Sequence, residues 1–248
     1  MKRLIKAIFL VAFVTAALAQ SPEPPLKDSR LSIHTLLRED IFAGFLADDL
    51  DRFSRGEKNI QLLIEQRPNQ KAELMAWKGG AELYRAVHAL ENNKNEEFQR
   101  YYKSALDAFS QARQLEPENP GVAAVMGGSY VVLADRLPKE HRDAAWSQAY
   151  DSYRRLWKMQ GPIAERLPVH FKGELLGGLT QCAQRTGHTE EMAQTLDRML
   201  ALLRDTPYES AAKKWKANPG SAGATSITCL TCHDAGRLAA RIEAVNKQ

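Results

Sequence analysis

The sequence has almost no strand signal. Only Val131-Val132 pairs β-branched residues in a way that suggests extended chain, while three- and four-residue apolar spacing runs through nearly everything else. That excludes the sheet-containing classes and leaves an all-α fold. Long apolar runs are equally scarce. The one clear case, residues 8–17, is about ten residues long, too short to cross a hydrocarbon core of roughly 30 Å as a helix. No membrane span is expected in the mature chain. A basic face is missing too, because Lys and Arg alternate with Glu and Asp along every segment. This argues against a nucleic-acid partner.

What is present begins with the N-terminus. Lys2, Arg3 and Lys6 precede the apolar run, and Ala17-Leu18-Ala19 supplies small residues before Gln20. That is the layout of a secretory signal peptide over residues 1–19, with an uncleaved N-terminal anchor as the alternative. No cysteine follows the small-residue site, so a lipid there is not expected. A periplasmic or secreted location is implied. Without residues 1–19 the chain keeps 31 of its 34 Lys+Arg against 30 Asp+Glu, a formal charge of +1 rather than +4. The remaining 229 residues are enough for a substantial core.

Residues 20–31 are polar and Pro-rich and read as a tether. Residues 32–218 read as a helical domain. Residues 39–55 show Ile41, Phe42, Phe45, Leu46, Leu50 and Phe53 on one side, and residues 58–66 add a second apolar run that Pro68 stops. Pro68, Pro117, Pro162 and Pro207 recur at intervals of 49, 45 and 45 residues, and each interval holds two helical runs. Fixed periods of this size point to stacked helical hairpins, since one hairpin cannot bury its apolar face alone.

Ala105, Phe109, Ala112 and Pro117 carry the spacing of a second repeat helix. Upstream, Trp77, Ala81 and Tyr84 match a first helix, and Ala123, Met126, Gly127 and Tyr130 resume the register, followed by Ala149 and Tyr153. Over residues 71–204 this pattern resembles the tetratricopeptide repeat, with alanine at the usual glycine position of the first repeat. The resemblance implies an α-solenoid whose surface binds other proteins. Between Tyr84 and Ala105, and between Tyr130 and Ala149, the chain is about ten residues longer than the same stretch of a standard ~34-residue repeat, so longer helices or an expanded turn are expected there.

Residues 219–248 form a linker and a short segment of different character. Within it stands Thr228-Cys229-Leu230-Thr231-Cys232-His233. Two cysteines two residues apart, followed at once by histidine, resemble the haem-attachment motif of c-type cytochromes. Two thiols at this spacing can bond the two vinyl groups on one edge of the macrocycle, which carries the adjoining histidine under the iron. The resemblance implies one covalent haem c, with Cys229 and Cys232 as thioether residues and His233 as an axial ligand. Export fits it, because such haem is attached outside the bacterial cytoplasm. A thioredoxin-like pair would expect a preceding strand, a zinc site would want a fourth ligand nearby, and a plain Cys229–Cys232 disulfide is chemically open. Cys182 lies on an apolar-periodic helix and reads as core.

The fifteen residues after His233 contain neither Met nor His and offer one short amphipathic helix over 235–245, with Leu238, Ile242 and Val245 on one face. That face is too small to bury a macrocycle, so haem must pack on the scaffold or on another protein. A second axial ligand must then come from the body. His141 and His188 sit in charged turns and read as solvent-facing; His88 sits within a repeat helix. His34 and His170 open helices, and His34 is the favoured ligand. Each has a bland alternative as a surface or capping histidine. The reading is an exported monohaem electron-transfer protein with a helical docking scaffold and a protein redox partner. The alternative is an interaction scaffold whose haem is structural or a redox or gas sensor. A peroxidase-like enzyme ranks last, since no distal Arg-His pair stands out, and no catalytic residue is assigned.

Overall fold

The structure, a computed structural model, describes residues 22–223 and 236–247. The fold is all-α, with no strand among the described residues. Its helices are α1 (Ile33–Ala47), α2 (Leu50–Gln66), α3 (Lys71–Glu91), α4 (Asn95–Leu115), α5 (Pro120–Leu133), α6 (Lys139–Gln160), α7 (Val169–Arg185), α8 (Thr189–Leu202), α9 (Pro207–Ala217) and α10 (Arg237–Asn246). Residues 1–21, which hold the expected signal peptide, and residues 224–235, which hold Cys229, Cys232 and His233, lie outside the described residues.

Local chemistry sets where the helices start and stop. Ser32 caps α1 by accepting the Thr35 N–H at 3.2 Å, and Asn119 caps α5 by accepting from Gly121 and Val122. The apolar run over 39–55 is two helices rather than one. Asp48 takes φ 51 as the C-cap of α1, and the Asp49 carboxylate accepts the Arg52 N–H at 3.1 Å to start α2. Adjacent aspartates offer the backbone a local hydrogen-bonding alternative to continued helix, and apolar spacing alone does not report that. The bend lets α1 and α2 close as a hairpin around Asp40. Its carboxylate is 2% exposed and meets Arg55 Nη2 at 2.6 Å and Arg52 Nε at 3.3 Å.

Hairpins then follow in series: α1/α2, α3/α4, α5/α6 and α7/α8, with α9 closing on α8 and α7. The first helices of the four hairpins also pack in a row, α1 on α3, α3 on α5 and α5 on α7. Small residues let helices approach and aromatics fill the gap. Gly79 is one such place, because a Cβ there would stand 2.5 Å from the Phe109 ring. Ala105, Phe109 and Ala112 face the core as expected, as do Trp77, Tyr84, Tyr130 and Tyr153. The extra length of the first long interval is helix: α3 and α4 have 21 residues each. In the second interval it goes into a 3₁₀ turn, Ala134–Arg136, and the 22 residues of α6.

Both segments expected to be loose are held down. Arg67 donates to the carbonyls of Leu26, Asp28 and Leu31, so the described part of the tether is fastened to α2. Gln181 and Arg185 of α7 donate to the carbonyls of Ala222 and Gly223 at the start of the linker. The amphipathic helix after the motif is α10, and it docks on α1 with Leu238 and Val245 buried. Its two ends are tied to the start of the chain. Glu39 accepts the Leu238 N–H at 2.6 Å, which serves the end that lacks a side-chain cap of its own. Arg30 donates to the Val245 carbonyl at 2.8 Å at the other end. No helix among the described residues is long and apolar enough to cross a membrane.

Candidate functional site

Packing the four first helices in a row, and docking α10 on α1, leaves a cavity of ≈ 720 Å³. The first turns of α1, α5 and α7 open into it through Ser32, Gly121 and His170, and Glu73 reaches it from the first turn of α3. Leu156, Val125, Ala124 and Phe171 supply apolar wall. The fourth side is α10, which contributes Arg237, Ala240, Arg241 and Ala244. The volume falls in the range of small-molecule and cofactor sites, about 300–1,000 Å³.

Two histidines face this space. His34, in the first turn of α1, and His170, in the first turn of α7, are 136 residues apart in sequence and line one cavity. Burial, with the nearby Arg38 charge and His170, pushes the His34 imidazole down to about 3, so it is neutral at any ordinary pH. Its ring packs 5.5 Å from that of Trp77. Burial lowers His170 as well, helped by Arg237 and Arg38. The two carboxyls of the cavity shift the other way. Burial raises Glu73, opposed by the Trp77 indole and by the His34 backbone N–H that the carboxyl accepts. Burial alone raises Glu174 to about 7.

The remaining histidines lie elsewhere. His88 sits mid-scaffold on α3 beside Tyr84, and His188 is exposed, stacked on Tyr150 with ring centroids 4.1 Å apart. His141 corrects the expectation of a solvent-facing turn residue. It lies in the first turn of α6, half-buried, with its ring 4.5 Å from Tyr102 and 5.8 Å from Phe98. A charged neighbourhood in sequence says little about which way one side of a helix points. Cys182 is fully buried on α7, as expected of a core residue.

Protein-family models, curated proteins and solved structures were all compared with this chain, and none matches it. The site therefore rests on its own chemistry. No group of three or more His, Cys, Asp or Glu that could hold a metal ion occurs among the described residues. His34 and His170 thus cannot make a self-contained metal centre there. Reading the sequence singled out both histidines as helix-opening residues. It missed Arg38, Arg237, Arg241, Glu73 and Glu174, whose spacing resembles that of any solvated helix face.

Proposed function

We propose that this chain is an exported monohaem c-type cytochrome-like protein that transfers electrons, with Cys229 and Cys232 attaching the haem and His233 and His34 as its axial ligands. The observation that carries the reading is that α10 is both a wall of the His34 cavity and the segment next to the motif. Three residues separate His233 from Arg237, so covalent connectivity keeps their Cα atoms within about 14 Å. The residues present suit the group: a neutral buried imidazole, an apolar wall from Leu156, Val125 and Phe171, and cationic side chains on one side.

Haem bound there would supply one-electron oxidation and reduction. The chain's own residues do the rest. His34 would supply a neutral imidazole to the iron alongside His233, and a pair of imidazoles would set a lower potential than a His/Met pair. The α5–α7 wall keeps water from the ring, and the outer helical surface is the docking face for a protein redox partner. Val169 stands exposed next to His170, where such a partner would meet apolar surface.

Protein exported from a host competent in c-type haem attachment is expected to carry the mass of one haem after denaturation and to show a six-coordinate low-spin spectrum. A bare polypeptide mass would end the proposal. His34→Ala is expected to convert the spectrum to high-spin or water-bound with unchanged circular dichroism, and His170→Ala is not. An unchanged spectrum in His34→Ala would reject that ligand. A high-spin wild type would favour the sensor or structural reading of the haem over electron transfer.

A further inference from the structure

The cavity is lined by three arginines, and their placement is more specific than general basicity. Arg237 and Arg241 are one helical turn apart on α10, so they project from one face of it, and both border the cavity. Arg38, on the α1 helix against which α10 packs, borders the same cavity. Arg38 and Arg237 both lie close enough to depress the His170 imidazole, and Arg38 acts on His34 as well, so the positive charge gathers around the two histidines. Arg241 forms no hydrogen bond or ion pair with any described residue although it lines the cavity. The first turns of α1, α5 and α7, whose N–H groups carry partial positive charge, open on the same space.

We propose that the cavity is a carboxylate-reading pocket, in which Arg237 and Arg241, with Arg38, hold the two carboxylate groups of a porphyrin while its apolar ring lies against Leu156, Val125 and Phe171. This deepens the proposed function and rests on its haem seat. Guanidinium matches carboxylate geometry with paired N–H donors, and it keeps its charge at every relevant pH. Because two of the three arginines sit on α10, the group that fills the cavity also fastens the last helix over it.

The test uses the full chain carrying Cys229→Ala and Cys232→Ala, so that binding does not depend on covalent attachment. Haemin and haemin dimethyl ester are titrated into it and followed by the Soret band and by tryptophan quenching. The iron is the same in both probes and only the carboxylates differ. Haemin is expected to bind at least about tenfold more tightly than its ester, as for a lost charge-assisted contact. Adding Arg237→Gln and Arg241→Gln is expected to remove that preference, weakening haemin about tenfold or more while leaving the ester unchanged and circular dichroism intact. Equal binding of the two probes, or variants that leave haemin binding unaltered, would overturn the pocket while leaving the haem seat standing. Failure of both probes to bind would overturn it too, and a wild-type chain bearing one haem by mass would then place the haem elsewhere. A bare wild-type mass combined with strong discrimination between the probes would leave the pocket standing and remove the covalent cytochrome.

Discussion

His34 and Glu174 face one cavity from α1 and α7, and burial favours the neutral form of each. Their effects on stability run in opposite directions with pH. Below the ordinary histidine value of about 6.5 the unfolded chain takes up a proton that folded His34 refuses until about 3, so this residue costs stability as pH falls through that window. Folded Glu174 keeps its proton up to about 7, whereas the unfolded chain loses it near 4.5, so stability declines as pH rises from 4.5 to 7 and is level above. Glu73, His170, Arg38, Arg237 and Arg241 face the same space and are retained in the comparison. In the haem-free cysteine variant, Glu174→Gln should therefore raise stability at pH 8 by up to about 3 kcal/mol and change little at pH 4. Urea unfolding at the two pH values measures it, and an equal effect at both would refute the assignment. Phe109 is a different kind of residue, legible from the start. It was placed in the core by its spacing from Ala105 and Ala112, and it fills the space that Gly79 leaves. Phe109→Ala should cost about 3–5 kcal/mol in the same assay. Spacing could find Phe109 because a repeating register marks it. Nothing marks Glu174, since burial of a carboxyl is decided by what packs around it.

At the scale of the element, α10 shows most about assembly. Its amphipathic face was readable, and Leu238 and Val245 are buried as that pattern requires. Where it docks was not readable, because Glu39 and Arg30 hold it from about 200 residues upstream. A helix of 10 residues is marginal by itself and takes its stability from such contacts. Glu39→Ala should lose about 1–2 kcal/mol, comparable to a lost N-cap. It should also speed amide hydrogen exchange in α10 while leaving α3 and α4 protected. Uniform acceleration across the chain would show that Glu39 acts instead through its contact with Arg52, at 3.5 Å. The same lesson applies to α1 and α2. Their apolar registers were visible, and the break at Asp48-Asp49 was not, because two aspartates beside a helix end can as easily be a solvated stretch of one helix.

For the whole molecule, the core runs without interruption from Leu31 to Ala222 and is joined by Val245. Ending the chain at residue 223 removes α10 and the motif but leaves the four hairpins and α9. That truncated protein should keep a single cooperative thermal transition and its helical circular dichroism per residue. Loss of either would mean that the C-terminal segment, or what it binds, organises the scaffold. The sequence by itself determined the class of fold, the pairing of helices, much of the aromatic core and the resemblance of Cys229, Cys232 and His233 to a haem-attachment motif. All of these depend on spacing within one or two turns or on adjacent residues, which a linear reading preserves. Only the tertiary structure decided that His34 and His170 share a cavity, that α10 borders it, and that three arginines and two carboxyls that burial pushes upward in pKa line it. Those facts depend on residues as far apart as 32 and 244, brought together because the first helices of successive hairpins stack with their N-termini at one end.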